Sequence, residues 1–120
     1  MERERLFAGE ERLMEIIWDH EPLSSGALVR HCQAELGWKK STTYTMLKRL
    51  SEKGYAKNEN AVVTSVVSRE ENQSAESIHL VERSFGGSLP GFLVAFLGGK
   101  TLTEQEAEEL KALIDAHRGS

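Results

Sequence analysis

Only one stretch of this 120-residue chain has the composition of a strand. Residues Ala61 to Val67 hold four valines and a threonine, β-branched types whose stiff χ1 suits a pleated surface. On either side, apolar residues return every three or four positions, which is the helical period. A lone strand needs a partner close by. Tyr55-Ala56-Lys57 reads as that partner, and Asn58-Glu59-Asn60 between them is turn-forming. The chain is thereby held to a mostly α class with one small β-hairpin.

Ahead of the hairpin the pattern predicts three short helices. Glu10 to His20 carries Leu13, Ile16, Ile17 and Trp18 between charges, and Pro22 stops it. Ser24 or Ser25 can cap the second helix, whose Leu28, Cys32 and Leu36 share a stripe, and Gly37 suits its left-handed end. The third runs from about Ser41 to Lys53, with Tyr44, Leu47 and Leu50 as its expected core face and Gly54 closing it. Three helices joined by tight turns form a helix-turn-helix, and the hairpin after them makes a wing with its tip at Asn58 to Asn60.

Beyond the hairpin, Ser68-Arg69-Glu70-Glu71 matches a capping box, so a fourth helix starts there and carries Ile78, Val81 and Phe85 to Gly86-Gly87. A fifth follows Ser88, with Pro90 in its first turn. Its Leu89, Phe92, Leu93, Val94, Phe96 and Leu97 are apolar nearly all the way round, up to Gly98-Gly99. Thr103-Glu104-Gln105-Glu106 opens a sixth, with Leu110, Leu113 and Ile114 on one side. The reading gives a winged helix-turn-helix domain over 1-68 and a three-helix C-terminal arm over 69-120. A helix as apolar as the fifth must be covered on more than one side, and three short helices are too few for that. Ile78, Val81, Phe85, Leu89, Phe92, Leu93, Phe96, Leu97, Leu110 and Leu113 are therefore expected at a homodimer interface.

Charge is segregated along the chain. The net value is −4, which alone disfavours a nucleic-acid partner. From Arg30 to Lys57, however, seven basic residues face two acidic ones, a balance of +5, whereas after Asn60 five basic residues face nine acidic ones. A polyanion is drawn to the first segment and repelled by the second. The third helix lies in the basic segment and turns Ser41, Thr42, Thr45, Lys48 and Arg49 away from the core face. Hydroxyls can meet phosphates or base edges, lysine supplies phosphate charge, and arginine can pair bidentately with guanine. On an isolated helix the same residues would be an ordinary solvated face. Their place after a helix-turn and before a hairpin carrying Lys57 favours double-stranded DNA.

These residues also carry a resemblance. Trp38 to Gly54 resembles the recognition segment of the penicillinase and methicillin-resistance repressors, a family that includes copper-responsive repressors. The resemblance resumes at Val66 to Glu71, at Phe85 to Leu89 and at Leu102 to Leu110, so it covers nearly the whole chain. It implies a homodimeric transcriptional repressor on a palindromic operator. By position it implies DNA contacts for Ser41, Thr42, Thr45 and Arg49, and phosphate contacts for Lys39 and Lys40. The wing departs from the family, with Asn60, Ala61, Val62 and Val63 where basic and aromatic residues are usual; Lys57 and Asn60 are the remaining wing candidates. The resemblance further implies antibiotic-resistance control, with release through a membrane sensor protease pathway and cleavage between Ala95 and Phe96. Alanine at 95 stands where those repressors have asparagine.

Other classes find less support. No serine–histidine–aspartate spacing, phosphate loop or paired-carboxylate cluster suggests an enzyme, and no cofactor is expected. His31 and Cys32 are adjacent and point about 100° apart on a helix, and the C-terminal cysteine cluster of copper-responsive relatives is missing, so no metal site is expected. A single cysteine, a charged Met1-Glu2-Arg3-Glu4-Arg5 start and no apolar run of about 20 residues predict a cytoplasmic protein without membrane insertion. The rival readings are a winged-helix protein–protein adaptor, or a repressor released by a small ligand or metal.

Overall fold

Gly37 takes a left-handed φ of 68°, a conformation that costs residues with a Cβ about 1–2 kcal/mol and glycine little. The chain turns there from one helix to the next, and the helix-turn-helix depends on it. The structure, a computed structural model, describes residues 3–119; Met1 and Glu2 of the charged start lie outside the described residues. The elements are α1 (Ala8–His20), β1 (Leu23–Ser24), α2 (Ser25–Leu36), α3 (Lys40–Glu52), β2 (Ala56–Glu59), β3 (Val62–Ser65), α4 (Arg69–Phe85), α5 (Leu89–Leu97) and α6 (Glu104–Ala116). The three strands form one antiparallel sheet in the order β1-β3-β2. The chain divides into two compact units, Met1–Glu76 and Ser77–Ser120, and α4 runs through the division.

The first unit is a winged helix around a core of Leu13, Met14, Ile17, Leu28, Cys32, Leu47, Leu50 and Val63, all almost wholly shielded from water. Burying side chains of this size stabilises the unit by roughly 1.5–3 kcal/mol each. Polar contacts close its edges. The Trp18 indole N–H donates to the carbonyl of Val67 at 2.9 Å, and the Glu21 carboxylate accepts the Ser65 N–H at 2.8 Å. The Arg69 guanidinium reaches Glu15 at 2.9 Å and Asp19 at 2.6 Å, tying the start of α4 to α1.

The structure departs from the sequence expectations at three places. The wing turns at Asn60-Ala61, not over Asn58 to Asn60, so its strands are Ala56–Glu59 and Val62–Ser65. Both turn residues have positive φ, 52° and 62°, as a two-residue type I′ turn requires. This register leaves Tyr55 in the core, with its carbonyl accepting the Val66 N–H at 2.8 Å. Leu23–Ser24 adds a third strand, only two residues long and so without a period-2 pattern in the sequence. Finally, Tyr44 is 37% exposed, and Thr43 takes the core position expected of it. Thr43 can be buried because its hydroxyl donates to the Lys39 carbonyl at 3.2 Å, leaving its methyl group to pack.

In the second unit the expected helix starts are present. Ser88 Oγ accepts the Gly91 N–H at 2.9 Å, and Thr103 with Glu106 forms the capping box that opens α6. Phe92 packs edge-on against Phe85 and beside Phe96. Among the described residues no side chain of this unit is buried within one chain. Val94 is 76% exposed and Phe96 54%. Ile78, Val81, Leu89 and Phe92 line an open apolar groove of about 400 Å³. No helix among the described residues is long and apolar enough to cross a membrane.

Candidate nucleic-acid interface

The third helix owes its position to α2 and to the wing, and the three meet at one residue. Ser25, the first residue of α2, donates its backbone N–H to the Ala61 carbonyl in the wing turn at 2.9 Å. Its hydroxyl accepts a hydrogen bond from the Tyr44 hydroxyl of α3 at 3.2 Å. The exposure of Tyr44 is thus not idle, because its ring spans from α3 to the start of α2.

With Thr43, Leu47 and Leu50 turned inward, α3 presents Ser41, Thr42, Thr45, Met46 and Arg49 around a shallow depression of about 260 Å³. Ser41, Thr42, Thr45 and Arg49 are four of the residues that the sequence singled out, and they are brought together on one face. Met46 was missed, since a half-buried methionine looks like core in the sequence. Its sulfur lies 3.8 Å from an Arg49 nitrogen, a contact that holds the guanidinium beside Met46. Lys48 is exposed one position before Arg49.

The start of α3 is open to anions. Lys39 occupies the N-cap position in extended conformation, and no side chain caps the first turn. Its free N–H groups and the positive end of the helix dipole face outward. The first turn contains no acidic residue, while Lys39 and Lys40 are both exposed.

Two cations of the basic segment are less available than the sequence suggested. Lys53 is drawn inward, its ammonium 2.7 Å from the buried Glu10 carboxylate and 4.2 Å above the Phe7 ring. Lys57 is exposed on the wing but shares its charge with Glu59 at 3.7 Å. Asn60 stands exposed at the wing turn.

Similarity to known proteins covers most of the chain. The penicillinase repressor family model matches residues 8–116. The chain is 24% identical to the penicillinase repressor of Bacillus licheniformis over 110 residues, covering 88% of this chain and 86% of that one. It is 23% identical over 112 residues to the methicillin resistance regulatory protein MecI of Mammaliicoccus sciuri and to that of Staphylococcus aureus strain N315. Each of those matches covers 90% of this chain and 91% of the relative.

Proposed function

The chain belongs to the penicillinase repressor family, and from that premise we propose that it is a transcriptional repressor that binds a palindromic operator in double-stranded DNA as a homodimer. One observation carries the DNA reading: Ser41, Thr42, Thr45 and Arg49, three hydroxyl residues and an arginine, line one exposed depression on α3. An uncapped helix start with Lys39 and Lys40 lies at its end. In this reading Thr42, Thr45 and Arg49 meet base edges. Lys39, Lys40, Ser41 and Lys48 meet phosphates, and Lys57 and Asn60 make a minor contact from the wing.

The homodimer is supported by the uncovered apolar surface of the second unit. Leu89, Phe92, Leu93, Phe96 and Leu97 on α5, with Ile78, Val81 and Phe85 on α4 and Leu110 and Leu113 on α6, would be covered by the same residues of a second chain. A two-fold dimer suits two half-sites about one helical turn apart. We further propose β-lactam-resistance control, since the relatives are named for penicillinase and methicillin resistance. Relief would come from cutting between Ala95 and Phe96. Supporting that, α5 has nine residues, short of the roughly 12–15 that make an isolated helix stable.

The test is selection of binding sites from random-sequence duplexes by the full-length protein, followed by titrations at several salt concentrations. A palindrome should emerge. Lys40→Ala should weaken binding to every duplex and flatten the slope of log K against log salt by roughly 0.9. Thr45→Ala and Arg49→Ala should weaken the selected site by about 1–3 kcal/mol and random DNA far less. Equal losses on both would remove α3 as the reader of bases.

A further inference from the structure

The end of α1 meets α2 at a cluster that the repressor reading does not use. His20 is the last residue of α1; His31 lies within α2 and Glu35 one turn further on. The two imidazole rings stack with centroids 3.8 Å apart and planes at 17°. His31 Nδ1 lies 3.4 Å from Glu35 Oε2. One ligand atom from each of the three residues falls within 4.8 Å of the others. His20 and Glu35 are exposed and His31 is half-buried, so an ion reaches them from solvent.

We propose that His20, His31 and Glu35 form a binding site for a divalent transition-metal ion of the zinc class. Two imidazole nitrogens and a carboxylate oxygen are a donor set that Zn²⁺ accepts with water in the fourth place. The same set favours Co²⁺, Ni²⁺ and Cu²⁺ over the hard ions Mg²⁺ and Ca²⁺. Cys32, the neighbour of His31, is buried in the core, so the site offers no thiolate for Cu⁺. Tetrahedral ligands at about 2.0–2.1 Å from zinc lie roughly 3.3 Å apart, so the two rings must fan open from their 17° stack for both in-plane lone pairs to meet one ion, a rearrangement open to His20 at the exposed end of α1. His31 and Glu35 share a face through their four-residue spacing. His20 joins them because α1 ends against α2, which is why adjacent pairs in the sequence did not reveal the site. The ion would tie the last turn of α1 to α2 across β1, stabilising the scaffold on which α3 rides.

The site is tested by calorimetric titration of ZnCl₂ into full-length protein freed of metal by chelator, with no DNA present, so the result is independent of the repressor reading. One ion per chain should bind, and zinc at about 100 times its Kd should raise the melting temperature by several degrees. His20→Ala and His31→Ala should each weaken binding at least tenfold. Glu35→Gln, a surface change that leaves both rings in place, should weaken it several-fold and keeps the test valid if a ring deletion disturbs folding. His79→Ala and His117→Ala should leave the affinity unchanged, and excess Mg²⁺ or Ca²⁺ should not compete. No saturable zinc binding, or an affinity that Glu35→Gln and the two ring deletions leave intact, would overturn the site and leave His20 and His31 as an aromatic stack.

Discussion

The backbone N–H of Ser25 donates to the carbonyl of Ala61 at 2.9 Å, so the wing turn is pinned to the first residue of α2. Ala61 pays for that geometry with a φ of 62°, where its Cβ is crowded. Ala61→Gly should therefore stabilise the first unit by about 0.5–1 kcal/mol, the relief of strain exceeding glycine's greater entropy loss. It would also give Asn-Gly, the preferred type I′ pair. Urea denaturation measures the gain; a loss of stability would mean that the alanine side chain is needed at the turn.

The buried ion pair gives a second test. Lys53 donates to Glu10 at 2.7 Å and to the Arg5 carbonyl at 3.0 Å, while the Glu10 carboxylate also accepts the Phe7 N–H at 2.7 Å. Lys53→Met leaves a buried carboxylate with its charge uncompensated and should cost about 3–5 kcal/mol. The double variant Glu10→Gln/Lys53→Met removes both charges and keeps an acceptor for Phe7, so most of the loss should return. If the double variant is no more stable than the single one, charge burial is not the cause.

Burial pushes the Cys32 thiol above its ordinary value, against a smaller lowering from its hydrogen bond with Thr43. The folded state therefore holds this proton more tightly than the unfolded chain does. That contribution to stability is fully present below the unfolded value and is lost as pH rises through the folded one. Cys32 should resist a disulfide reagent at pH 8 in the native protein and react rapidly in denaturing urea. Immediate native-state labelling would contradict its place in the core.

For the proposed dimer, the informative position is Phe96, 54% exposed in the single chain. The wild-type protein should sediment as a dimer at micromolar concentration. Phe96→Glu or Leu93→Glu would put an unpaired charge into the interface and should give a monomer with weakened operator binding. A wild-type monomer, or a charged variant that remains dimeric, would remove α5 from the interface.

For the proposed cleavage, the Ala95–Phe96 bond lies inside α5 and must leave the helix before it fits an extended protease cleft. Amides across residues 88–99 should exchange faster than those of α4 and α6 in DNA-free protein. Fragments mapped by mass from β-lactam-treated cells should end at Ala95. Strong protection of α5 together with an intact repressor during derepression would point instead to release by a ligand.

The features legible along the chain are local ones. Ser24, Ser68, Ser88 and Thr103 were legible as helix starts because their hydrogen bonds close within three residues. Gly37 was legible because a left-handed turn needs no partner. The exposed face of α3 followed as soon as Leu47 and Leu50 fixed the inward side. Which polar groups go inside, and what meets across elements, depends on the packing of distant segments. Thr43 rather than Tyr44 enters the core, Lys53 leaves the basic surface for Glu10, and the wing turns at Asn60-Ala61, where the Ala61 carbonyl meets Ser25. His20 and His31 stack only where α1 ends against α2. Each of these outcomes rests on burying or pairing a group with residues distant in the chain, and a periodicity that repeats within one element carries no record of what lies opposite it.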